Sequence, residues 1–266
     1  MFGALVRRSF ARHRALIVAL AALLSAFQVL DIVVAYNLQK NAAYSQFAEM
    51  VPAFIQEAMG GALVGTFLGA VAVGFVHPLV MLSLSCAAIY LASEPAGEVE
   101  AGLVDLVVAR PVPRYLIVSR SVVVYVTGTL AVVAAMFATS RAVVLWLTPD
   151  QAHVVAASRL AWLALNLLAV VWSIGAAALA YASHARERAR AAGTMALVAV
   201  FLYLLQFGAA AWEPLRPLAR VSPFHYYETM RTLMGHVTPT THIAGLLGAT
   251  LVLIGVAYVL YERRDL

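Results

Sequence analysis

Six long apolar runs divide the sequence, near residues 15–36, 62–92, 116–140, 160–182, 194–212 and 243–261. Each run is long enough to cross the roughly 30 Å hydrocarbon core of a membrane as a helix of about 20 residues. A helix satisfies its own backbone hydrogen bonds, which lipid cannot do for it. The pattern therefore predicts an all-α membrane protein, a six-helix transmembrane bundle that forms a single domain over residues 1–266.

Three segments outside these runs predict shorter elements. Residues 1–14 are basic with apolar positions at helical spacing, which fits either a short helix at the membrane interface or a frayed tail. Segment 94–110 predicts a helix that begins after Ser93, with Pro95 in its first turn and glutamates near its amino end. Region 213–242 is rich in proline and aromatic residues, and we expect a short helix there, at the outer interface before the last span.

Composition and charge fix the class and the orientation. The chain is 63% hydrophobic and 12% charged, with a mean hydropathy of +0.88, whereas soluble domains are about a quarter charged. Arginines cluster within residues 7–14, 186–190 and 263–264, three segments that six spans place on one side. The positive-inside rule makes that side cytoplasmic, with both termini and segment 94–114. The net charge of +5 thus reflects topology, and we expect no nucleic-acid partner.

Several catalytic and binding motifs are missing from the sequence. Its single lysine, Lys40, does not follow a phosphate-binding glycine loop, so this chain cannot bind ATP through such a loop. No HExxH zinc helix and no GxSxG nucleophile elbow occur. Cys86 is the only cysteine and lies in an apolar run. We predict a protein that is not an enzyme, with no metal site and no cofactor of its own.

Segment 94–114 has an apolar stripe of the kind that docks on another protein. Leu103, Leu106, Val107 and Arg110 follow the i, i+3, i+4, i+7 spacing of one helix face. The alternative is a helix that lies on the lipid headgroups. Acidic residues fit that alternative poorly, because an anionic leaflet attracts lysine and arginine.

The same segment resembles the membrane subunit of ABC-2 type ABC transporters. Permeases of this family commonly carry a motif between the second and third spans whose positions are matched here by Glu98, Gly102, Asp105, Ala109, Pro111 and Arg114, with Arg120 following. Residues 222–224 (SPF) and the ending 261–266 (YERRDL) are similar to two further stretches of the family. The resemblance covers the whole six-span plan, and the 94–114 motif is its most specific part.

The resemblance implies a permease subunit, in most cases of an exporter. The composition, rich in alanine and arginine, is typical of a GC-rich bacterial genome, so we expect a bacterial inner membrane. A separate ATPase subunit would bind ATP and magnesium, and a second permease chain would complete a homodimer or heterodimer. Segment 94–114 would be the coupling helix. The residues expected at the ATPase interface are Glu94, Glu98, Gly102, Asp105, Leu106, Arg110 and Arg114.

The translocation path is the least determined part of the prediction. Gln28 and Asp31 share a face of the first span, and Gln206 lies in the fifth span. Polar residues inside a membrane usually face the bundle interior or a cavity. The resemblance implies that the first, second and fifth spans line the path, which makes these three residues its candidates. A channel or secondary carrier without an ATPase, and an assembly scaffold, remain alternatives to a permease for an unknown substrate.

Overall fold

The protein is described here by a computed structural model that covers residues 2–40, 67–102, 113–149 and 155–264. Within these ranges the secondary structure is helical, with no strand. The helices, in chain order, are α1 (Phe2–Lys40), α2 (Phe67–Val76), α3 (Pro78–Ala92), α4 (Glu94–Glu100), α5 (Tyr115–Leu147), α6 (Ala157–Ala182), α7 (Arg188–Ala211), α8 (Arg216–Ala219), α9 (Thr229–Leu233) and α10 (Thr240–Glu262). Six helical segments are long and apolar enough to cross a membrane, one for each predicted run. The prediction of an all-α, multi-pass membrane protein is confirmed.

Helix α6 is the centre of the bundle. Most of its residues are buried, and it packs against α3, α5, α7 and α10. Gly175 lets α6 approach α5 closely, because a Cβ atom there would lie 2.9 Å from the ring of Tyr125. Small residues serve this purpose in membrane helices, where close packing holds the bundle together.

Helix α1 differs from the prediction at its start. It runs without a break from Phe2 to Lys40, so the basic segment 1–14 is neither a separate interfacial helix nor a frayed tail. Its 39 residues give a length of about 58 Å at 1.5 Å per residue. This exceeds the hydrocarbon thickness of about 30 Å, so part of α1 extends beyond the apolar layer. It packs mainly on α5 and α2.

The second span is broken where the sequence places His77 and Pro78. His77 has extended backbone angles, and its Nδ1 atom accepts a hydrogen bond from the backbone N–H of Leu79 at 3.2 Å. Pro78 lacks a backbone donor and fits only the first turn of the helix that follows. His77 is therefore a junction between α2 and α3.

The two ends of the bundle differ in character. At one end, which we call the α4 end, the start of α1 and the residues after α10 meet α4 and the α6–α7 connection. The opposite end holds α8, α9 and two short 3₁₀ helices, Glu213–Leu215 and Pro223–Tyr226, which confirms a short helical region before the last span. Trp146 and Trp212 are 80% and 62% exposed there, as residues at a membrane–water boundary often are.

Candidate functional site

The candidate site begins where α3 passes into α4. The hydroxyl of Ser93 donates to the carbonyl of Ile89 at 2.6 Å and closes α3, and Pro95 lies in the first turn of α4. Glu94 is the first residue of α4, and its side chain is directed into the protein, with 2% of its surface exposed. A buried carboxylate is costly unless charged or hydrogen-bonding groups surround it.

Glu94 has such groups on two other helices. From α1, the Ser9 hydroxyl donates a hydrogen bond to its carboxylate, and Arg12 and His13 lie 3.7 and 3.5 Å from Oε1. From α5, the Nε atom of Arg120 lies 3.4 Å from Oε2. Burial raises the pKa of the Glu94 carboxyl, but the nearby His13 ring, the charge of Arg120 and the hydrogen bond from Ser9 outweigh burial and lower this pKa to about 2. Glu94 is therefore a buried anion at neutral pH.

Arg120 links two glutamates that lie one turn apart on α4. Its Nη1 atom donates to Oε1 of Glu98 at 2.5 Å, in addition to the ion pair with Glu94. The side chain of Arg120 is 4% exposed and that of Glu98 is 13% exposed. A planar guanidinium presents donors in several directions at once, which suits it to such a bridge. Helix α4 is thus bound to α5 through one buried arginine.

Helix α4 is also bound to the start of α7. The backbone N–H of Arg188 donates to Glu100 at 2.8 Å, and its guanidinium donates to the carbonyl of Tyr90 at 3.0 Å. The same guanidinium lies 4.1 Å from the centre of the Tyr90 ring, a cation–π geometry. Gly97 makes this approach possible, since a Cβ there would lie 2.8 Å from Cδ of Arg188.

The end of α4 corrects the predicted helix. The helix stops at Glu100, and Gly102 follows with a positive φ of 64°. Glycine commonly ends helices in this conformation. The prediction of one continuous helix from 94 to 110 is therefore wrong. Residues 103–112, which include Asp105, Leu106 and Arg110, lie outside the described residues.

Arg114 lies at the α4 end but contacts the last helix rather than α4. Its Nη1 atom donates to the carbonyls of Glu262 and Arg264 at 3.1 and 2.9 Å. These carbonyls belong to the end of α10, where the backbone has acceptors without helical partners. Arg264 in turn donates to the carbonyls of Ser183 and Ala185 at 3.2 and 2.7 Å. The arginine predicted for the ATPase interface thus joins the third span to the chain's last described residues.

The structure therefore places Glu94, Glu98, Glu100, Gly102 and Arg114 at one end of the bundle. Glu94 and Glu98 are directed inward in this conformation, and Glu100 and Gly102 are exposed. A contact between any of them and an ATPase stays a prediction.

Sequence reasoning missed several residues of this site, among them Ser9, His13 and Arg188. The available signal was Arg120, a charge at the start of an apolar run, because a charge in that position needs a partner.

The residues predicted for the path fall into two places. Gln28 is fully buried, donates to the carbonyl of Gly74 at 2.5 Å and accepts a hydrogen bond from Ser140 at 3.0 Å. Asp31 lies beside the same glycine, with Oδ2 3.0 Å from where a Cβ on Gly74 would stand. Gln28 thus joins α1, α2 and α5.

Gln206 is separate from this group. Its Oε1 atom lies 3.2 Å from Nδ1 of His225, in the short 3₁₀ helix Pro223–Tyr226 at the opposite end of the bundle. Helix α7 packs mainly against α3, α4, α6, α8 and the two 3₁₀ helices, and α1 is not among its main neighbours. A path that uses all three residues would need either a second chain or a different arrangement of the helices.

Comparison of the sequence with protein-family models and with curated proteins found no match. The class of the protein, a helical multi-pass membrane protein, rests on its six apolar helices. The assignment of a function rests on the site at the α4 end together with the motif in segment 94–114.

Proposed function

We propose that the protein is the membrane permease subunit of an ATP-driven ABC-2 type transporter, an exporter energised by a separate ATPase. One observation carries the proposal: α4, at the start of the motif segment, is joined to α5 by buried ion pairs and to α1 by a buried hydrogen bond from Ser9 to Glu94. A helix bound in this way transmits a displacement to the spans around it. The arginine clusters favour a cytoplasmic location for this end of the bundle, where an ATPase would operate.

The working cycle follows from this connection. The ATPase binds ATP and magnesium and docks on segment 94–114. When it closes, it displaces α4, and Glu94 and Arg120 carry the displacement into α1 and α5. The spans then change between two packed arrangements as rigid bodies. A second permease chain supplies the other half of the path.

The proposal is tested by copurification of tagged full-length chain with candidate ABC ATPase subunits from the same genome. We expect the two chains to form a complex that hydrolyses ATP. Leu106→Glu should abolish this complex, because a carboxylate would disrupt an apolar docking face. Leu218→Glu is the matched control: Leu218 is 57% exposed at the opposite end of the bundle. A complex that forms equally well with both variants would exclude segment 94–114 as the docking site, and a chain that binds no ATPase would exclude the permease.

One observation favours a second candidate, a secondary carrier. Such carriers place substrate and ion sites where a membrane helix is broken, and the second span here is broken at His77, near the Gln28–Gly74 contact. This reading predicts transport in proteoliposomes that contain the chain alone and a pH gradient. It also predicts that Asp31→Asn abolishes that transport. Transport that requires an ATPase and ATP would exclude it.

A further inference from the structure

A groove of about 510 Å³ lies between α7 and α10. Both helices pack on α6, and α6 forms the floor of the groove. Its volume lies within the range of about 300–1,000 Å³ that is usual for ligand sites. Most of its lining side chains are apolar, among them Ile174, Val198, Leu202, Leu246 and Leu253.

The groove has a polar end at the opposite end of the bundle from α4. Arg220, Tyr226 and His242 line it there. The Tyr226 hydroxyl donates to the backbone carbonyl of Arg220 at 2.9 Å, and its ring meets the His242 ring edge-on at 5.5 Å. These contacts hold the three residues together at the mouth of the groove.

Two of these residues, Arg220 and His242, have groups that could bind a ligand. In the described part of the chain, Arg220 has no carboxylate within ion-pair distance, and the Nδ1 atom of His242 is buried without a hydrogen-bond partner. Burial lowers the pKa of neighbouring His225, and Arg220 and His242 lower it further, while Glu228 acts in the opposite direction. An anionic group would neutralise the charge of Arg220 and satisfy the buried nitrogen.

We propose that this groove binds an anionic phospholipid, with an acyl chain between α7 and α10 and the headgroup phosphate at Arg220 and His242. An apolar molecule would leave the charged end unused, and a soluble anion would leave the apolar groove unfilled. A phospholipid fits both, and the bilayer supplies it at the level of the helix ends. The proposal does not depend on an ATPase partner, and its test uses no ATP.

Glycines on α10 provide a matched pair of variants. Gly245 lines the groove, and a Cβ there would meet nothing within 4 Å. Gly245→Leu therefore adds an apolar side chain to the groove, with no clash at its Cβ atom. Gly248 has the same open surroundings but does not line the groove, so Gly248→Leu is its control. For the headgroup, Arg220→Gln is matched by Arg216→Gln, a nearby arginine outside the groove.

The measurement is native mass spectrometry of the purified full-length chain titrated with phosphatidylglycerol or phosphatidylcholine. We expect wild type to bind phosphatidylglycerol about fivefold more tightly than phosphatidylcholine. This factor corresponds to about 1 kcal/mol, the contribution of one basic residue near an anionic lipid surface. Arg220→Gln should remove this preference, and Gly245→Leu should remove the bound lipid of either kind. Both control variants should bind as wild type does.

Three results would overturn the proposal. Lipid binding by Gly245→Leu equal to that of Gly248→Leu would show that lipid does not occupy the groove. An unchanged preference for phosphatidylglycerol in Arg220→Gln would remove the headgroup assignment. Light scattering that shows a wild-type dimer converted to a monomer by Gly245→Leu would identify a second copy of the chain as the occupant instead.

Discussion

Replacement of Glu94 by glutamine tests whether the α4 end is held together by buried charge. The substitution keeps the shape of the side chain and removes its negative charge. Arg120, 4% exposed, then keeps only Glu98 as an ionised partner, and Arg12 loses the carboxylate beside it. An uncompensated buried charge is among the most costly defects in a folded protein.

The expected loss is about 3 kcal/mol. The pKa of the Glu94 carboxyl falls from 4.5 to about 2 on folding, a change of roughly 2.5 units at about 1.4 kcal/mol each. Removal of one partner of a buried ion pair costs about 3–5 kcal/mol in other proteins. Since Glu98 remains beside Arg120, we expect a value at the low end of that range.

Unfolding by SDS in mixed micelles, followed by loss of helical circular dichroism, measures this free energy. Glu213→Gln is the control, because its ion pair with Arg216 spans 3.7 Å between side chains that are 84% and 56% exposed. Exposed pairs contribute about 0–1 kcal/mol. Equal destabilisation by the two substitutions would refute the argument.

The pH dependence of stability is a second test of the Glu94 carboxylate. The pKa of Glu94 is lower in the folded than in the unfolded state, so its contribution is fully present above about pH 4.5 and is lost as the pH falls towards 2. The stability difference between wild type and Glu94→Gln should shrink over that interval. A difference that stays constant from pH 5 to pH 2 would contradict the ion network.

The variant also separates folding from docking. Because Glu94 is buried, we expect folded Glu94→Gln to copurify with the ATPase and to lose the coupling of ATP hydrolysis to transport. Leu106→Glu should lose copurification itself. Failure of a folded Glu94→Gln chain to bind the ATPase would place Glu94 at the interface.

Two glycines test the packing of the spans. Gly175→Ala should lower the free energy of unfolding by about 1–3 kcal/mol in the same SDS titration, because the new methyl lies 2.9 Å from the Tyr125 ring. Its control is Gly193→Ala, in open space on α7. This substitution should leave the free energy of unfolding unchanged or raise it by up to about 1 kcal/mol. Gly74→Ala would overlap Oε1 of Gln28, so transport by the reconstituted complex should fall as far as it does in Gln28→Ala, and full transport by Gly74→Ala would remove Gln28 from the path.

The spans could be predicted because hydropathy alone identifies them. The end of a span could not be predicted where a polar contact allows the helix to continue. The α6 span was expected at 160–182 and is observed at Ala157–Ala182. The third span was expected to end at 140, where Arg141 interrupts the apolar run, but α5 continues to Leu147. Arg141 donates to the carbonyl of Val155 at 2.9 Å, which accommodates the charge and lets the helix continue.

The candidate site shows a similar limit. Its position after the second span was predictable from the glutamates and Pro95, and the start of α4 agrees with that prediction. The end of α4 was not predictable, because glycine is tolerated within helices and the sequence does not reveal the sign of φ at Gly102. The partners of Glu94 were not predictable either, since Ser9 lies 85 residues away along the chain and a helix-face pattern does not identify the neighbouring helix.

The arginines of the α4 end connect the helices of the bundle. Arg120 joins α4 to α5, Arg188 joins α4 to α7, Arg114 joins α5 to α10, and Arg264 joins the end of α10 to the α6–α7 connection. These contacts form a continuous ring of charge-assisted bonds around one end of the bundle, with Glu94 as its buried anion on the α1 side. Because α4 is bonded to its neighbours, it cannot move alone. A displacement must carry α5 with it or break the buried Arg120 ion pairs at a cost of several kcal/mol. It must also carry α1 and α7 or break the Ser9–Glu94 and Arg188–Glu100 hydrogen bonds. The ring therefore favours rigid-body movement of the spans over local unfolding of the loop, whichever partner or gradient supplies the force.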